Sequence, residues 1–253
     1  MTEFRSLAGG VTTWAPPVRP RRLKLSWDAM QRDDVDHVDR LARRVDGFGP
    51  VAVLDPLARN LLAADQAAGV GDPGKWLTTG SEIILYGGAF GDYIMNTVSV
   101  ETVPASGHTD LYWRHPYWLA GFPAAPGQTY TWWPRGLVEA GATMQTSRVE
   151  WLDATGTLIT TSVASLAGAP LVAAAPANAV WVRPYVAFTA KGMWELGASV
   201  LALGNVAAAL VAGERPTGQG TPAYSVTKYT HAASDGDGAY RDIGLELVEV
   251  TAP

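Results

Sequence analysis

Most of the chain between residues 76 and 213 consists of short runs with the composition of β-strands, separated by turn residues and without helical periodicity between them. Strands at this spacing are typical of a sandwich or jelly roll, so the pattern predicts an all-β fold. Residues 153–156, DATG, predict a hairpin turn, because the glycine is free to adopt positive φ. The predicted strands are 82–86, 95–103, 110–114, 129–133, 147–152, 158–162, 180–188 and 195–203.

One short helix is predicted, over residues 33–45. Its apolar residues recur at helical spacing, aspartates occupy its first turn and arginines its last, and Gly47 follows as a stop signal. Apolar and polar residues alternate at 21–27 and again at 243–250, which predicts strands with one apolar face. Further strands are predicted at 50–55, 60–64 and 223–230.

The domain organisation follows from two segments with the composition of linkers. Residues 66–75 and 213–222 are rich in glycine, proline and polar residues. The parts of the chain before and after them offer too few strands for a sheet that covers itself. We therefore expect residues 1–65 and 215–253 to form one discontinuous β-sandwich domain, with an inserted β-sandwich of jelly-roll type over 66–214.

Charge is distributed unevenly along the chain. Residues 1–60 contain 10 basic and 8 acidic side chains, whereas residues 61–253 contain 9 and 16 in 193 positions. Soluble monomers seldom expose large apolar areas, so copies of the protein could cover much of the second part. A sandwich with a neutral face of threonine, serine and glycine would explain the same pattern. The net charge of −5 argues against general nucleic-acid binding, which needs a concentrated basic face.

Membrane insertion and export are not expected. The uncharged stretch 196–213 is interrupted by glycine, serine and asparagine, and a membrane span needs about 20 predominantly apolar residues. Buried strands explain this stretch better. The first ten residues lack the apolar run of a Sec-type signal. The absence of cysteine excludes disulfides, cysteine-zinc sites and thiol catalysis.

Catalytic and metal-binding patterns are not found. The four histidines have no metal-ligand spacing, although His108 and His115 flank an aromatic strand and could come together. Glu150 and Asp153 flank Trp151, as in a glycosidase, but positions i and i+3 of a strand point to opposite faces. Aspartates 235, 237 and 242 are too few for a recognisable calcium loop and predict a polar turn. We therefore expect no enzyme activity, no metal and no cofactor.

An aromatic cluster between residues 112 and 133 is the strongest candidate for a binding surface. Trp132 and Trp133 are adjacent on a predicted strand, so their rings must point to opposite faces. An exposed ring would stack on a sugar or anchor an interface, while the alternative places most of the cluster in the core. The candidate residues for glycan binding or an interface are Trp113, Trp118, Tyr130, Trp132 and Trp133.

Several segments resemble known phage proteins. The runs LKLSWDAM and GPVAVLDPLARNLL near the start, with YSVTKYTH and YRDIGLELVEV near the end, resemble actinobacteriophage tail proteins of the distal-tail and minor-tail group. The runs YTWWPRG, VEWLDATGTLITTS and APANAVWVRPYVAF in the middle resemble the jelly rolls of carbohydrate-binding modules that occur in phage tail-tip proteins and glycan-active enzymes.

The resemblance implies a structural virion protein at the distal end of the tail, made in the host cytoplasm. The distal-tail family forms a ring, usually a hexamer, that joins the tail tube to the tip or baseplate, so the implied partners are other copies, the tail tube and hub proteins. Residues 54–56 and 241–250 would be strands of the ring domain, and no catalytic residue carries over. The alternative is a minor tail protein that binds host cell-wall glycan.

Overall fold

The computed structural model describes residues 2–5, 11–14, 20–45, 47, 49–79, 82–87, 95–105, 107–234 and 240–250. The chain divides into two compact units. The first combines Met1–Val51 with Pro222–Pro253, and the second is Ala52–Thr221. The division falls at 51/52 and 221/222, whereas the sequence prediction placed it at 65/66 and 214/215. The assignment of the units as ring domain and insert stays a prediction.

Strands dominate both units and form antiparallel sheets, which confirms the all-β fold class. The predicted helix is present as α1, and three helices of five residues each accompany it, too short to leave a periodic signal in the sequence. The elements are β1 Thr2–Arg5, β2 Val11–Trp14, β3 Arg22–Gln31, α1 Arg32–Ala42, β4 Val51–Ala52, α2 Ala64–Ala68, a 3₁₀ helix Pro73–Lys75, β5 Trp76–Thr78, β6 Ile83–Tyr86, β7 Thr97–Val100, β8 Thr109–Trp113, β9 Phe122–Pro123, β10 Thr129–Trp133, α3 Arg135–Glu139, β11 Arg148–Leu152, β12 Leu158–Val163, β13 Leu171–Ala174, β14 Trp181–Phe188, β15 Gly192–Glu195, β16 Val200–Leu203, α4 Ala207–Val211, β17 Ala223–Ala233 and β18 Tyr240–Val250.

The first unit contains a four-stranded sheet in the order β3-β18-β17-β4 and the hairpin β1-β2. The predicted alternation of β3 and β18 is confirmed, since Trp27 lies opposite Ile243, Leu25 opposite Leu245, and Leu23 opposite Leu247. Cross-strand partners share a face, and helix α1 contacts both strands. Its Val35 is buried, as are the three apolar residues of β18.

The described part of the second unit contains three sheets; one has the order β15-β7-β6, and the aromatic centre of the core lies between the other two. Of those two, one has the order β12-β11-β14-β8-β5, with β9 added to β14, and the other has the order β13-β10-β16. Trp113 of β8 meets Trp132 of β10 edge-on at 4.9 Å between ring centroids, and Tyr130 meets Trp151 at 5.5 Å. These aromatic pairs link one sheet to the other and form the centre of the core.

The outer face of the smaller sheet is covered as well. Trp133 points away from Trp132, as predicted, and joins a separate apolar cluster with Val200, Ala202 and Leu210. Leu210 belongs to α4, so a one-turn helix supplies the cover that buries the second tryptophan. Both neighbouring tryptophans are therefore core residues on opposite sides of one sheet.

The strand predicted at 60–64 is wrong. Asn60 is fully buried, and its side chain takes the place of a strand neighbour. The Asn60 Nδ2 donates to Ser199 O at 3.0 Å, and its Oδ1 accepts from the backbone nitrogens of Leu62 and Leu201. With a further bond from Nδ2 to Pro216 O at 3.3 Å, this buried amide satisfies four backbone groups, which removes the need for a ladder here.

Two further local predictions need correction. The expected linker at 66–75 contains α2 and a 3₁₀ helix, and Gln66 is buried with its Nε2 donating to the carbonyls of Lys75 and Arg114. The strand that the resemblance implied at 54–56 is a turn, because the Asp55 carboxylate accepts from Leu57 N and its carbonyl accepts from Ala58 N. The strand implied at 241–250 is present within β18.

Candidate functional site

Four of the five predicted aromatic residues are core residues. Trp113 and Trp132 are 0% exposed, Tyr130 is 2% exposed and Trp133 is 7% exposed. A ring without an accessible face cannot stack on a sugar or a neighbouring subunit, so burial removes these four as binding platforms and favours the core alternative. Trp118 remains half-buried. Its ring lies 4.6 Å from that of His115 and 5.6 Å from that of Trp181.

His115 has a structural function beside Trp118. Its Nδ1 accepts from the backbone nitrogens of Tyr117 and Trp118, each at 3.0 Å, so the proton lies on Nε2, which donates to Thr221 O at 2.8 Å. Burial lowers the pKa of His115 to about 4, against the opposing effect of the hydrogen bond to Thr221. Neither ring nitrogen is left for a metal, and the described residues contain no group of three or more metal-ligating side chains.

The burial of His115 predicts an acid-sensitive fold. The folded pKa of about 4 lies below the ordinary 6.5, so the unfolded chain binds more protons between these values. The free energy of unfolding should therefore fall by about 3 kcal/mol as the pH drops from 6.5 to 4. Urea titrations at several pH values measure this slope.

Two histidine variants test the origin of the pH slope, one at His115 and a matched control at His108. His115→Gln should flatten the slope, whereas His108→Gln, at a half-exposed position, should keep it. Equal slopes for His115→Gln and the wild type would contradict the assignment.

A cluster of polar side chains lies on the outer face of the large sheet of the second unit. Residues of β8, β11 and β14 alternate between the core and this face, and six side chains meet there. We call them the outer-face cluster, namely Asp110, Tyr112, Arg148, Glu150, Arg183 and Tyr185. Register places Arg148 opposite Tyr185, Tyr185 opposite Tyr112, and Glu150 opposite Arg183. The sheet thus gathers charges from three distant segments of sequence.

Ion pairing and stacking organise the outer-face cluster. The Arg183 guanidinium donates from Nε and Nη2 to Glu150 Oε2, at 2.8 and 2.5 Å, and lies 5.0 Å above the ring of Tyr112. That ring stacks on Tyr185 at 4.9 Å. The Tyr112 hydroxyl lies 3.4 Å from Glu150 Oε1 and 3.5 Å from Asp110 Oδ2, between the two carboxylates. Burial, followed by these carboxylates, raises the pKa of Tyr112 above its ordinary value.

Asp110 lies in the outer-face cluster, within reach of Glu150, Arg148 and His108. Burial raises the pKa of Asp110 above its usual range, and nearby Glu150 adds to the rise, while His108 and Arg148 oppose it. His108 Nε2 lies 3.4 Å from Asp110 Oδ1, which has no hydrogen-bond partner among the described residues. Arg148 Nε and Gln145 Oε1 are likewise buried without a partner there.

Glu150 and Asp153, considered as a glycosidase pair from the sequence, do not form one site. Glu150 belongs to the outer-face cluster, whereas Asp153 is a half-buried turn residue. The Asp153 Oδ1 accepts from the Thr155 hydroxyl and from the backbone nitrogens of Thr155 and Thr157. These bonds, led by the one from the Thr155 hydroxyl, lower the pKa of Asp153. Of the aspartates weighed for calcium, 235 and 237 lie outside the described residues.

A second surface lies in the first unit, at the edge strand β3. Among the residues that the structure describes, β3 has one neighbouring strand, β18, on one of its two sides. Leu23, Leu25 and Trp27 are half-buried there, whereas their partners on β18 are buried. The strand therefore combines open backbone groups with an incompletely covered apolar row.

Comparison with known proteins gives a weak structural likeness. The chain is similar to the enzymatically active domain of tailspike protein 4 of bacteriophage CBA120, with a TM-score of 0.35 and 12% sequence identity. The match covers 59% of this chain and 22% of the tailspike chain, so the chain spans about a fifth of that structure. No family model and no curated protein matches the sequence. A likeness of this degree carries no statement about function. Across the described residues, no helix has the length and apolarity needed to cross a membrane.

Proposed function

We propose that this chain is a self-assembling structural protein of a phage tail, and that copies of its first unit associate into a closed ring at the distal end of the tail. The observation that carries the proposal is the edge strand β3. Its ten residues, Arg22–Gln31, have a free side in the described sheet, and its apolar row is only half covered.

An edge strand of this kind favours association between copies. On the side of β3 that has no neighbouring strand among the described residues, the backbone N–H and C=O groups are a template for a further strand, and natural monomers normally block such edges. Docking a neighbouring copy along β3 would satisfy these groups and bury Leu23, Leu25 and Trp27. Each copy would use one surface to bind the copy before it and a different surface to bind the copy after it. When the rotations between neighbouring copies add up to a full turn, the assembly closes into a ring and growth ends.

The resemblance of the terminal segments to distal-tail proteins supports the location. In that arrangement the ring of first units lies between the tail tube and the hub of the tip or baseplate, and a hexamer is the expected copy number. The second unit enters the chain as a continuous segment, Ala52–Thr221, between two parts of the first. Such an insertion adds a compact body to each subunit without interrupting β3, β17 or β18.

The test compares two substitutions that each introduce a carboxylate, at neighbouring positions of β3. Leu25→Glu places a carboxylate in the half-buried apolar row, whereas Ser26→Glu places one on the opposite, exposed face. Loss of a buried leucine weakens an interface by about 1.5–3 kcal/mol, or about 10- to 100-fold in each dissociation constant. We expect a ring of wild-type and Ser26→Glu protein in negative-stain images, and monomers of Leu25→Glu at the same concentration by light scattering.

Circular dichroism and thermal melting test whether Leu25→Glu remains folded, and a folded variant that forms no ring assigns the loss to the interface. A wild-type protein that stays monomeric at high concentration, and that does not join purified tail tubes, would overturn the proposal. Rings of unchanged stability in Leu25→Glu would remove β3 as the interface.

A further inference from the structure

We propose that a pocket in the second unit is a binding site for a small aliphatic carboxylate. The pocket has a volume of about 220 Å³ and lies between helix α2, the start of β16, Arg135 at the start of α3, and the segment 214–218. It is open to solvent, since its lining residues Ala64, Ala68 and Thr217 are exposed. The site goes beyond ring assembly and does not depend on it, because all of its residues belong to the second unit.

Close backbone contacts hold the walls of the pocket in place. Ser199 N donates to Ala67 O at 2.8 Å, which ties the residue before β16 to α2. On the other side, Gly218 packs so closely that an added Cβ would lie 2.4 Å from the Ala63 carbonyl oxygen. The pocket is therefore formed before a ligand binds, as small-molecule sites usually are.

The lining of the pocket is small and mostly apolar. Ala67 is 6% exposed and Val200 is 4% exposed, and Ala64, Ala68 and Pro216 contribute further apolar groups. If one non-hydrogen atom occupies about the 30 Å³ of a water molecule, the volume accommodates a ligand of about seven such atoms. A five-carbon carboxylic acid has this size.

Arg135 places a guanidinium group in this apolar surrounding. Its side chain is 9% exposed, and its Cζ lies 4.9 Å from the centre of the Trp133 ring. Its Nε donates to Glu139 Oε1 at 2.6 Å, and its Nη1 donates to the carbonyl oxygens of Leu210 and Glu214. Nη2 has no hydrogen-bond partner among the described residues. Because Arg135 lines the open pocket, a ligand reaches it without opening the core.

The charges around the pocket favour a ligand with a single negative charge. Arg135 and Arg215 share the carboxylate of Glu139, and Arg59 pairs with Glu214. Three guanidinium groups thus accompany two carboxylates, which leaves one positive charge. A carboxylate balances this charge and accepts strong hydrogen bonds from guanidinium groups. A phosphate dianion would exceed the charge and would leave the apolar walls unoccupied.

The first experiment uses the wild-type full chain and small probes, with binding followed by ligand-observed NMR. Isovalerate, which has seven non-hydrogen atoms, should bind saturably with a dissociation constant on the order of 1 mM, as so small a ligand allows. Isovaleramide has the same shape without the charge and should bind about tenfold more weakly, because hydrogen bonds to a charged group are lost. Inorganic phosphate at equal concentration should not displace isovalerate.

Two peptides distinguish a free acid from the end of a protein chain as the source of the carboxylate. Both end in valine, one with a free carboxylate and the other with an amide. Displacement of isovalerate by the free peptide alone would support a chain terminus as the ligand, and displacement by neither peptide would support a free acid. Equal displacement by both peptides would overturn the requirement for a carboxylate.

Two variants with matched controls test whether the probe binds in this pocket. Ala68→Leu adds bulk to an exposed residue of the lining and should abolish binding, whereas Ala208→Leu makes the same change at an exposed position of α4 outside the lining. Arg215→Gln should weaken isovalerate binding about tenfold. Arg43→Gln should leave it unchanged, because Arg43 is also an exposed, ion-paired arginine but belongs to the first unit.

The wild-type measurements decide the proposal even where a variant does not fold. Absence of saturable isovalerate binding would overturn it, as would equal affinity for isovaleramide or displacement by phosphate. Unchanged affinity in folded Ala68→Leu protein would do the same, because the probe would then bind elsewhere. Ring formation is measured separately, so failure here leaves the proposed assembly intact.

Discussion

Replacing Trp132 by alanine is expected to destabilise the second unit by about 3–5 kcal/mol, the range for removing a buried large aromatic side chain. Trp132 is fully buried, and its ring meets that of Trp113 edge-on across the two sheets. The Nε1 group also lies 3.4 Å from the Tyr185 carbonyl oxygen of the facing sheet. The substitution therefore opens a cavity at the point where the sheets are joined. Urea unfolding, followed by near-ultraviolet circular dichroism, measures the loss.

The control for Trp132 is Trp118→Ala, which removes the same side chain from a half-buried position. We expect it to cost less than half as much, because solvent already reaches part of the ring and less apolar area is lost. Similar urea midpoints for the two variants would show that Trp132 does not link the sheets as its contacts indicate.

The local pattern of the strands could be predicted from the sequence because it depends on a period of two residues. The alternation of β3 and β18 and the opposite directions of Trp132 and Trp133 are both of this kind, whereas the turn at Asp153 follows from Gly156, which adopts the positive φ that the turn needs. The alternation within one strand could not specify whether another part of the chain covers a given face of the sheet. The cover over Trp133 comes from α4, more than 70 residues later, and a five-residue helix leaves no periodic signal.

The outer-face cluster was missed for a related reason. Polar residues alternate with core residues in β8, β11 and β14, and this alternation is visible in each strand separately. Only the sheet order shows that the three polar rows meet, bringing Glu150 to Arg183 and both to Tyr112. Strand order depends on long-range pairing, which a single sequence does not reveal. The aromatic residues of 112–133 therefore mark the core of the second unit rather than its polar face.

Asn60 shows a different limit of sequence patterns. The run 60–64 has the composition of a short strand, but a single buried amide makes hydrogen bonds to two backbone segments far apart in the chain. Its backbone carbonyl also accepts from Gln219 N, within the second segment that was predicted to be a linker. Side-chain hydrogen bonds of this type take the place of a strand ladder. Through them, the two segments predicted to be linkers pack as parts of the second unit.

The close approach of two backbone segments at Gly136 leads to the second large expected effect. A Cβ added at Gly136, in the first turn of α3, would overlap the Leu196 carbonyl oxygen and lie 2.5 Å from Gly197 Cα. Gly136 N also donates to Ala198 O at 2.6 Å, which holds the segments together. Both obstacles are backbone atoms, so no flexible side chain can yield. Gly136→Ala should therefore destabilise the second unit by about 3 kcal/mol, at the upper end for an overpacked site.

Gly141→Ala separates this steric effect from backbone strain. Gly141 follows α3 with φ of +71° and has nothing within 4 Å of an added Cβ, so its substitution costs only the left-handed conformation, about 1 kcal/mol. Urea titrations of the two variants should differ by about 2 kcal/mol. Equal midpoints would mean that the segments at Gly136 and Gly197 can separate without cost. A large difference would show that this contact, between two glycines 61 positions apart in the sequence, fixes α3 against the segment that joins β15 to β16.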